Sequence, residues 1–485
     1  MFGQKSAANT NVRTSLGVLR GLTQDGVRTF RGVPFAEPPV GALRFMPPLP
    51  PKPWKGERDA TSFSASPMQP GEVGTQHSED CLYLNIWAPE GKGPFPVFVW
   101  IHGGGFTGGH SFEATYDGTG FAREGVICIS VGYRLGVFGF LDLEPVLGPK
   151  YAGSSNNAVR DLIAALEWIQ QNVASFGGDP ARVTIGGESA GAKLSDILLG
   201  VPSAEPLFHQ VISESGGAER VWPKVLATPI GKGFADAWTE ATGQPAAAML
   251  TAPAERLIPV QKEFMDRWPQ HFPLRPEIDG KLIAKLPVQV VGAGGARTKR
   301  LLIGTNRDES ALFVGPHPGD ATAQNVGNLG LSSFHETYER YKSAYPQMTD
   351  EQRRIRALTA EEYWVPSLRL ADSHVNAGGT AFVYELAFAE TSGRLGGYSY
   401  HSLDVGMIWQ HPHLDAANGA QEAALGKQIH AAWVAFIKGE TPSAQGLPVW
   451  PKYRADTRPT MILDAVSKVE ERPQEAEFRL WDGKL

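Results

Sequence analysis

From Pro96 onward the chain alternates short apolar runs with stretches of helical periodicity, and this alternation limits the fold more than any other feature of its 485 residues. VFVWIHGG is a run of strand length ending in glycines, and VICISVGYR is a second. DLIAALEWIQQNVASFGG repeats its apolar residues at helical spacing and stops at a glycine pair; ARVTIGGESAG is a strand entering another Gly-rich turn. Strands apolar on both faces must be covered on both, so the order predicts a mostly parallel central sheet with helices on either side. HQVISESGG, KRLLIGTN and GTAFVYELAF read as further strands, the third as the last strong one. QIHAAWVAFIKGE reads as a C-terminal helix, followed by short strands around Met461-Ile462-Leu463. Mainly helical stretches at about 220–298 and 333–376 are expected to form a cap inserted late in one domain covering 1–485. Upstream, strand-like runs begin at Leu16 and Val27, and the prolines crowded from Pro34 to Pro53 exclude a helix or central strand there.

The turn after ARVTI carries Gly187-Glu188-Ser189-Ala190-Gly191. With 55 glycines in the chain, a G-x-S-x-G string arises by chance roughly 0.3 times, so its weight rests on context. Here a strand precedes it and a helix-compatible run, Ala192 to Leu199, follows, as a serine nucleophile on a sharp strand-to-helix turn requires. His102-Gly103-Gly104-Gly105-Phe106 follows an earlier strand. Three glycines let backbone N–H groups converge on a developing oxyanion, and neither a GK[ST] nor a G-x-G-x-x-G spacing supports a phosphate loop instead. The base is expected beyond the last strong strand, where the flexible stretch 392–400 leads to His401. An acid should follow the preceding strand, and KRLLIGTN is followed by Asp308 and Glu309, of which only one can face the histidine. Serine, acid, histidine in that order is the α/β-hydrolase arrangement.

With these residues in place the chain resembles the type-B carboxylesterase family, which includes bacterial para-nitrobenzyl esterases and the cholinesterases. Nine strings in family order carry the likeness: RGVPFAEPPVGALRF, SEDCLYLNIWAP, VWIHGGGF, GYRLGVFGFL, FGGDPARVTIGGESAGA, ISESGG, IGTNRDES, YHSLDVGMIW and VWPKY. The resemblance implies an α/β-hydrolase fold, a triad of Ser189, His401 and Glu309, and an oxyanion hole from the amides of Gly104, Gly105 and Ala190. It places Ser215 beside the triad, with Glu188 as a further neighbour, and implies ion pairs Arg44 with Glu79 and Arg134 with Asp161. Departures concern the pocket: Ser62 to His77 holds no cysteine to bridge Cys81, Asp404 stands where relatives have Glu, and Trp409 replaces the usual Phe. A cholinesterase reading is therefore disfavoured and an unusual pocket rim expected. Phe106, Trp222, Phe313 and Trp409 are the pocket-lining candidates.

The expected reaction is hydrolysis of small to medium carboxylic esters through an acyl-enzyme, with water as second substrate and no cofactor or metal. The same triad serves carbamate or amide cleavage, and a non-catalytic binding relative is the remote alternative. His411, His413 and Asp415 have a metal-like look, but an H-x-H pair on a loop is more often solvated. A net charge of −6 without a Lys/Arg cluster disfavours nucleic acid and membrane surfaces as partners. Cys81 and Cys128 are expected as reduced core thiols. With no apolar leader among the first ten residues, the chain reads as a cytoplasmic protein, a monomer or weak homo-oligomer.

Overall fold

Residues 7–71, 76–270, 272–314, 331–411 and 418–484 are described in a computed structural model of the chain. The predicted apolar runs become β5 (Phe95–Ile101), β6 (Ile127–Val131), β7 (Gly178–Glu188), β8 (Gln210–Glu214), β9 (Arg300–Asn306), β10 (Thr380–Leu386) and β11 (Pro459–Leu463). They pair in parallel in the order β6-β5-β7-β8-β9-β10-β11. Antiparallel strands extend both edges: β1 (Ala8–Arg13), β2 (Val18–Gln24), β3 (Val27–Pro34) and β4 (Tyr83–Pro89) beyond β6, and β12 (Lys468–Glu471) beyond β11. With Glu57–Asp59 paired to β2, the sheet has 13 strands among the described residues.

Side-chain alternation along β5 explains why that run carries no polar positions. Val97, Val99 and Ile101 enter one core while Phe98 and Trp100 enter a second core on the opposite face. Helix α1 (Asn157–Asn172) covers the first face and a long C-terminal helix (Gly419–Ile437) the second. The short strand expected around Met461-Ile462-Leu463 forms as β11 and pairs beside β10. Two expectations shift: β1 and β4 extend the antiparallel edge beyond the runs singled out in sequence, and Trp409 belongs to the second core, not to a pocket. Its indole packs against Trp100, Tyr116 and Phe121, with ring centroids 5.2, 5.5 and 5.2 Å away. Helices fill much of 220–298 and 333–376, including Lys224–Thr242, Leu257–Arg267, Asp350–Thr359 and Val365–Asn376. The last two are joined by a π-helical turn, Ala360–Trp364.

Both implied ion pairs form. Arg44 Nη2 lies 2.5 Å from Glu79 Oε2, and Arg134 Nη2 lies 2.6 Å from Oδ1 of Asp161 on the buried face of α1. Removing one partner of a fully buried pair strands a charge, so Arg134→Ala should lower stability by about 3–5 kcal/mol, read from urea unfolding, without touching the site chemistry directly. Cys81 and Cys128 are both buried free thiols.

Candidate active site

Three turns at the C-terminal ends of parallel strands bring the predicted residues together. β7 runs into Ser189, whose φ of +56° and ψ of −122° lie outside the regions most side chains adopt, and helix α2 (Ala190–Leu199) starts at the next residue. The turn is this tight because β5 ends against it. A Cβ on Gly191 would stand 1.9 Å from Ile101 O, so no side chain fits there. Ser189 N–H donates to Glu214 O across 2.9 Å, tying the serine to β8.

Geometry separates the two neighbouring carboxylates. Oε2 of Glu309, just past β9, lies 2.6 Å from His401 Nδ1. Its other oxygen accepts from Ser215 Oγ at 2.5 Å and from the Asn306 N–H at 2.8 Å. Asp308 turns away: its Oδ2 accepts from Arg307 Nε at 2.9 Å and from the Ser399 N–H at 3.1 Å. A negative charge there supports the loop, so Asp308→Asn should keep kcat within about tenfold of wild type in steady-state assays.

At the other ring nitrogen the partner is Glu188. Its Oε1 stands 3.1 Å from His401 Nε2 and also accepts from Ser402 Oγ at 2.6 Å. Among the described residues no hydrogen bond joins Ser189 Oγ to Nε2. Burial alone would lower the proton affinity of His401, but Glu188 and Glu309 outweigh it, and the pKa lies above the ordinary 6.5. Burial pushes Glu188 up, against the pull of His401.

Gly104 and Gly105 adopt φ of +110° and +61°, which a side chain would make costly. Neither their amides nor that of Ala190, the first residue of α2, donates to a described group. Phe272 packs over this loop: its Cε1 stands 2.7 Å from where a Gly105 Cβ would be.

The pocket candidates divide. Phe313, 52% exposed, places its ring 5.2 Å from the imidazole, as a rim residue would. Phe106 is buried against Phe140, 5.0 Å between centroids. Trp222 is buried with Arg275 4.0 Å over its ring and Nε1 donating to Pro273 O. Asp404 is not at the rim either. It is buried behind the acid, accepting from Asn306 Nδ2 at 3.2 Å and Tyr384 OH at 3.1 Å, and burial together with the charges of Glu309 and Glu188 pushes it up to about 7. Three neighbours had no local signal: Tyr363, whose ring lies 4.8 Å from that of His401, Phe272 and Ser402. Among the described residues no group of three or more His, Cys, Asp or Glu is placed to hold a metal; His413 and Asp415 lie outside them.

The chain is similar to known proteins over nearly its whole length. A family model described as the Carboxylesterase family matches residues 8–481. A para-nitrobenzyl esterase of Bacillus subtilis (strain 168) is 33% identical over 96% of both chains. A fumonisin B1 esterase of Sphingopyxis macrogoltabida is 32% identical over 91% of this chain and 84% of its own. Among solved structures, a PNB esterase superposes with a TM-score of 0.86 at 31% identity, covering 98% of this chain and all (100%) of that one. A carboxylesterase of Geobacillus stearothermophilus superposes with a TM-score of 0.87 at 32% identity, covering 97% and 100%. The chain belongs to the carboxylesterase family and is a carboxylic-ester hydrolase built on the α/β-hydrolase fold.

Proposed function

We propose that Ser189, His401 and Glu309 carry the hydrolysis, acting on small to medium carboxylic esters through an acyl-enzyme. The single observation behind this is the 2.6 Å contact between Glu309 and His401 Nδ1. It holds the Nδ1 proton toward the acid and leaves the Nε2 lone pair to take the proton of Ser189. The serine oxygen attacks the ester carbonyl, and the amides of Gly104, Gly105 and Ala190 receive the oxyanion. His401 then protonates the departing alcohol, and water repeats the sequence on the acyl-enzyme.

Glu188 has a defined place in this cycle. A neutral imidazole bonded through Nδ1 offers only a lone pair at Nε2, which a carboxylate repels. The 3.1 Å contact therefore suits the imidazolium present once the serine proton has been taken. For the step that takes it, Nε2 must turn to Ser189 Oγ, a bond that commonly tightens only with substrate bound. Ser215 and Asn306 keep the acid oriented throughout.

An organophosphate such as diethyl 4-nitrophenyl phosphate tests the reading. It should abolish activity at one equivalent and add its phosphoryl mass to the peptide containing Ser189; inactivation with the label elsewhere overturns it. The pH profile gives a second check. Because the base works unprotonated, kcat/KM should fall as pH drops through the His401 pKa, with the half-point above the ordinary value of about 6.5. A profile flat between about pH 5 and about pH 9, with chemistry rate-limiting, contradicts a histidine base.

Domain organisation, oligomeric state and location belong to the same proposal: one catalytic domain with the helices of 220–298 and 333–376 as its cap, a monomer or weak homo-oligomer working in the cytoplasm of a bacterium. Among the described residues no helix is long and apolar enough to cross a membrane, which is compatible with that location. Carbamates and amides remain rival substrates of the same triad, and rates on matched ester, carbamate and amide derivatives of one acid or alcohol rank them.

A further inference from the structure

Lys193 is an unusual residue for its place. It lies on α2 four positions past Ser189, one helical turn on, and is buried at 4% exposure beside the reacting groups. Its N–H donates to Ser189 O at 2.9 Å. Its Nζ faces three acceptors: Gly216 O at 2.8 Å, Glu362 O at 3.2 Å and Glu362 Oε1 at 3.3 Å. Two hydrogen bonds to carbonyl oxygens and an ion pair with Glu362 favour an ammonium over a neutral amine, whose lone pair would be repelled by these oxygens. These contacts tie the helix of Ser189 to the segment after β8, which begins at Ser215, and to the π-helical turn Ala360–Trp364. Arg220 adds a second cation on Glu362.

That turn presents Tyr363. Nζ of Lys193 lies 4.5 Å from the centroid of its ring, and the imidazole of His401 lies 4.8 Å from the same centroid. A π-helical insertion shifts the register of everything beyond it, and such insertions recur at functional sites. Here it delivers Glu362 to two buried cations and Tyr363 to the histidine at once. We infer that Lys193 is a positioning residue for the ester hydrolysis, holding the π-helical turn so that Tyr363 packs against the His401 ring and opposing, with its charge, the carboxylates around that ring. The inference rests on the Ser189-His401-Glu309 reading.

The charges facing His401 come from every element packed on it. Glu188 on the serine turn and Glu309 beyond β9 favour the imidazolium, Lys193 on α2 disfavours it, and Asp404 lies behind the acid. Tyr363 is neutral, its hydroxyl pushed well above the ordinary value by burial first and by Glu309 next. Lys193 itself faces Glu362, Glu361, Asp196, Glu309 and Arg220. Burial first and the charge of Arg220 next drive its proton affinity well down, while Glu309, Asp196 and Glu361 pull the other way and the contacts to Gly216 O and Glu362 favour the charged form. Without the ammonium, two carboxylates act on the imidazole with less opposition, its proton affinity rises, and base catalysis is lost from a higher pH downward.

The test uses Lys193→Met, which keeps length and removes charge, Tyr363→Leu, which removes the ring, and the double variant. Each is assayed on 4-nitrophenyl butyrate across pH, with active sites counted by organophosphate titration. Lys193→Met should lower kcat per titrated site by about tenfold or more, leave KM within about threefold, and move the acid limb of kcat/KM up by about half a pH unit or more. The double variant should lose much less kcat than the product of the two single losses, because lysine acts through tyrosine. A merely structural role would reduce the number of titratable sites and the Tm but leave the acid limb of the remaining sites in place. An unmoved limb with kcat within about threefold, or strictly multiplicative losses, overturns the inference. If Lys193→Met does not fold, Tyr363→Leu decides alone, since it leaves the ammonium and its bonds intact; unchanged kcat and limb then overturn it. Organophosphate labelling away from Ser189 would instead sink the triad reading, an outcome distinct from all of these.

Discussion

Ser189→Ala is expected to lower kcat on 4-nitrophenyl butyrate by about four to six orders of magnitude while leaving the fold unchanged. Among the described residues the hydroxyl makes no hydrogen bond. The residue's role in the fold is its backbone, whose N–H binds Glu214 O and whose carbonyl accepts from Lys193 N–H. Alanine keeps both, and at φ +56° it bears about the same strain as serine. Urea and thermal unfolding should therefore match wild type closely, separating loss of chemistry from loss of structure. What remains is catalysis by the oxyanion amides and by binding, which persists without a nucleophile in serine hydrolases. A folded alanine variant retaining a tenth of wild-type turnover would remove Ser189 from the mechanism.

Glu309→Gln carries the second-largest expected effect, a fall in kcat of about two to four orders of magnitude. The wild-type carboxylate is acceptor-only and every one of its contacts is a donor: His401 Nδ1 on Oε2, Ser215 Oγ and the Asn306 N–H on Oε1. A glutamine must point its NH2 at one side. Aimed at the histidine, it makes Nδ1 an acceptor, moves the ring proton to Nε2 and blocks proton abstraction from Ser189. Aimed the other way, it faces the Asn306 N–H with a second donor, an unsatisfied buried clash. Either orientation also removes the charge that supports the imidazolium. Steady-state kinetics of folded Glu309→Gln beside Asp308→Asn decide the matter, and the reverse ranking would hand the role to Asp308.

The two neighbours show what one-dimensional reading can reach. Strand order placed an acid after KRLLIGTN, yet the residues themselves left Asp308 and Glu309 open, and the family resemblance chose between them. In three dimensions the chain turns into a 3-10 helix over Glu309–Leu312, so successive side chains diverge: one reaches the imidazole and the other returns to Arg307 and Ser399. Trp409 shows the opposite outcome. An aromatic eight positions past His401 looked like a pocket wall, but the short helix Leu403–Ile408 carries the chain away from the site and delivers the indole to the far core. Asp404 follows the same helix inward, to Asn306 and Tyr384.

By itself the sequence determined the parallel sheet, the serine turn and the glycine loop, because each follows from sterics acting over a few residues: apolar periodicity, a strand meeting a helix, and positions where a Cβ collides with its own turn. It also ordered serine, acid and histidine along the chain, since parallel strands send their following loops to one end of the sheet. Only the tertiary structure decided that Glu188 meets His401 Nε2, that Tyr363 packs on the same ring and that Lys193 reaches a turn 169 residues away. Those contacts join segments from different crossovers. Their distances depend on strand register, on a π-helical insertion and on how two helices pack, none of which leaves a periodic or local mark in the chain.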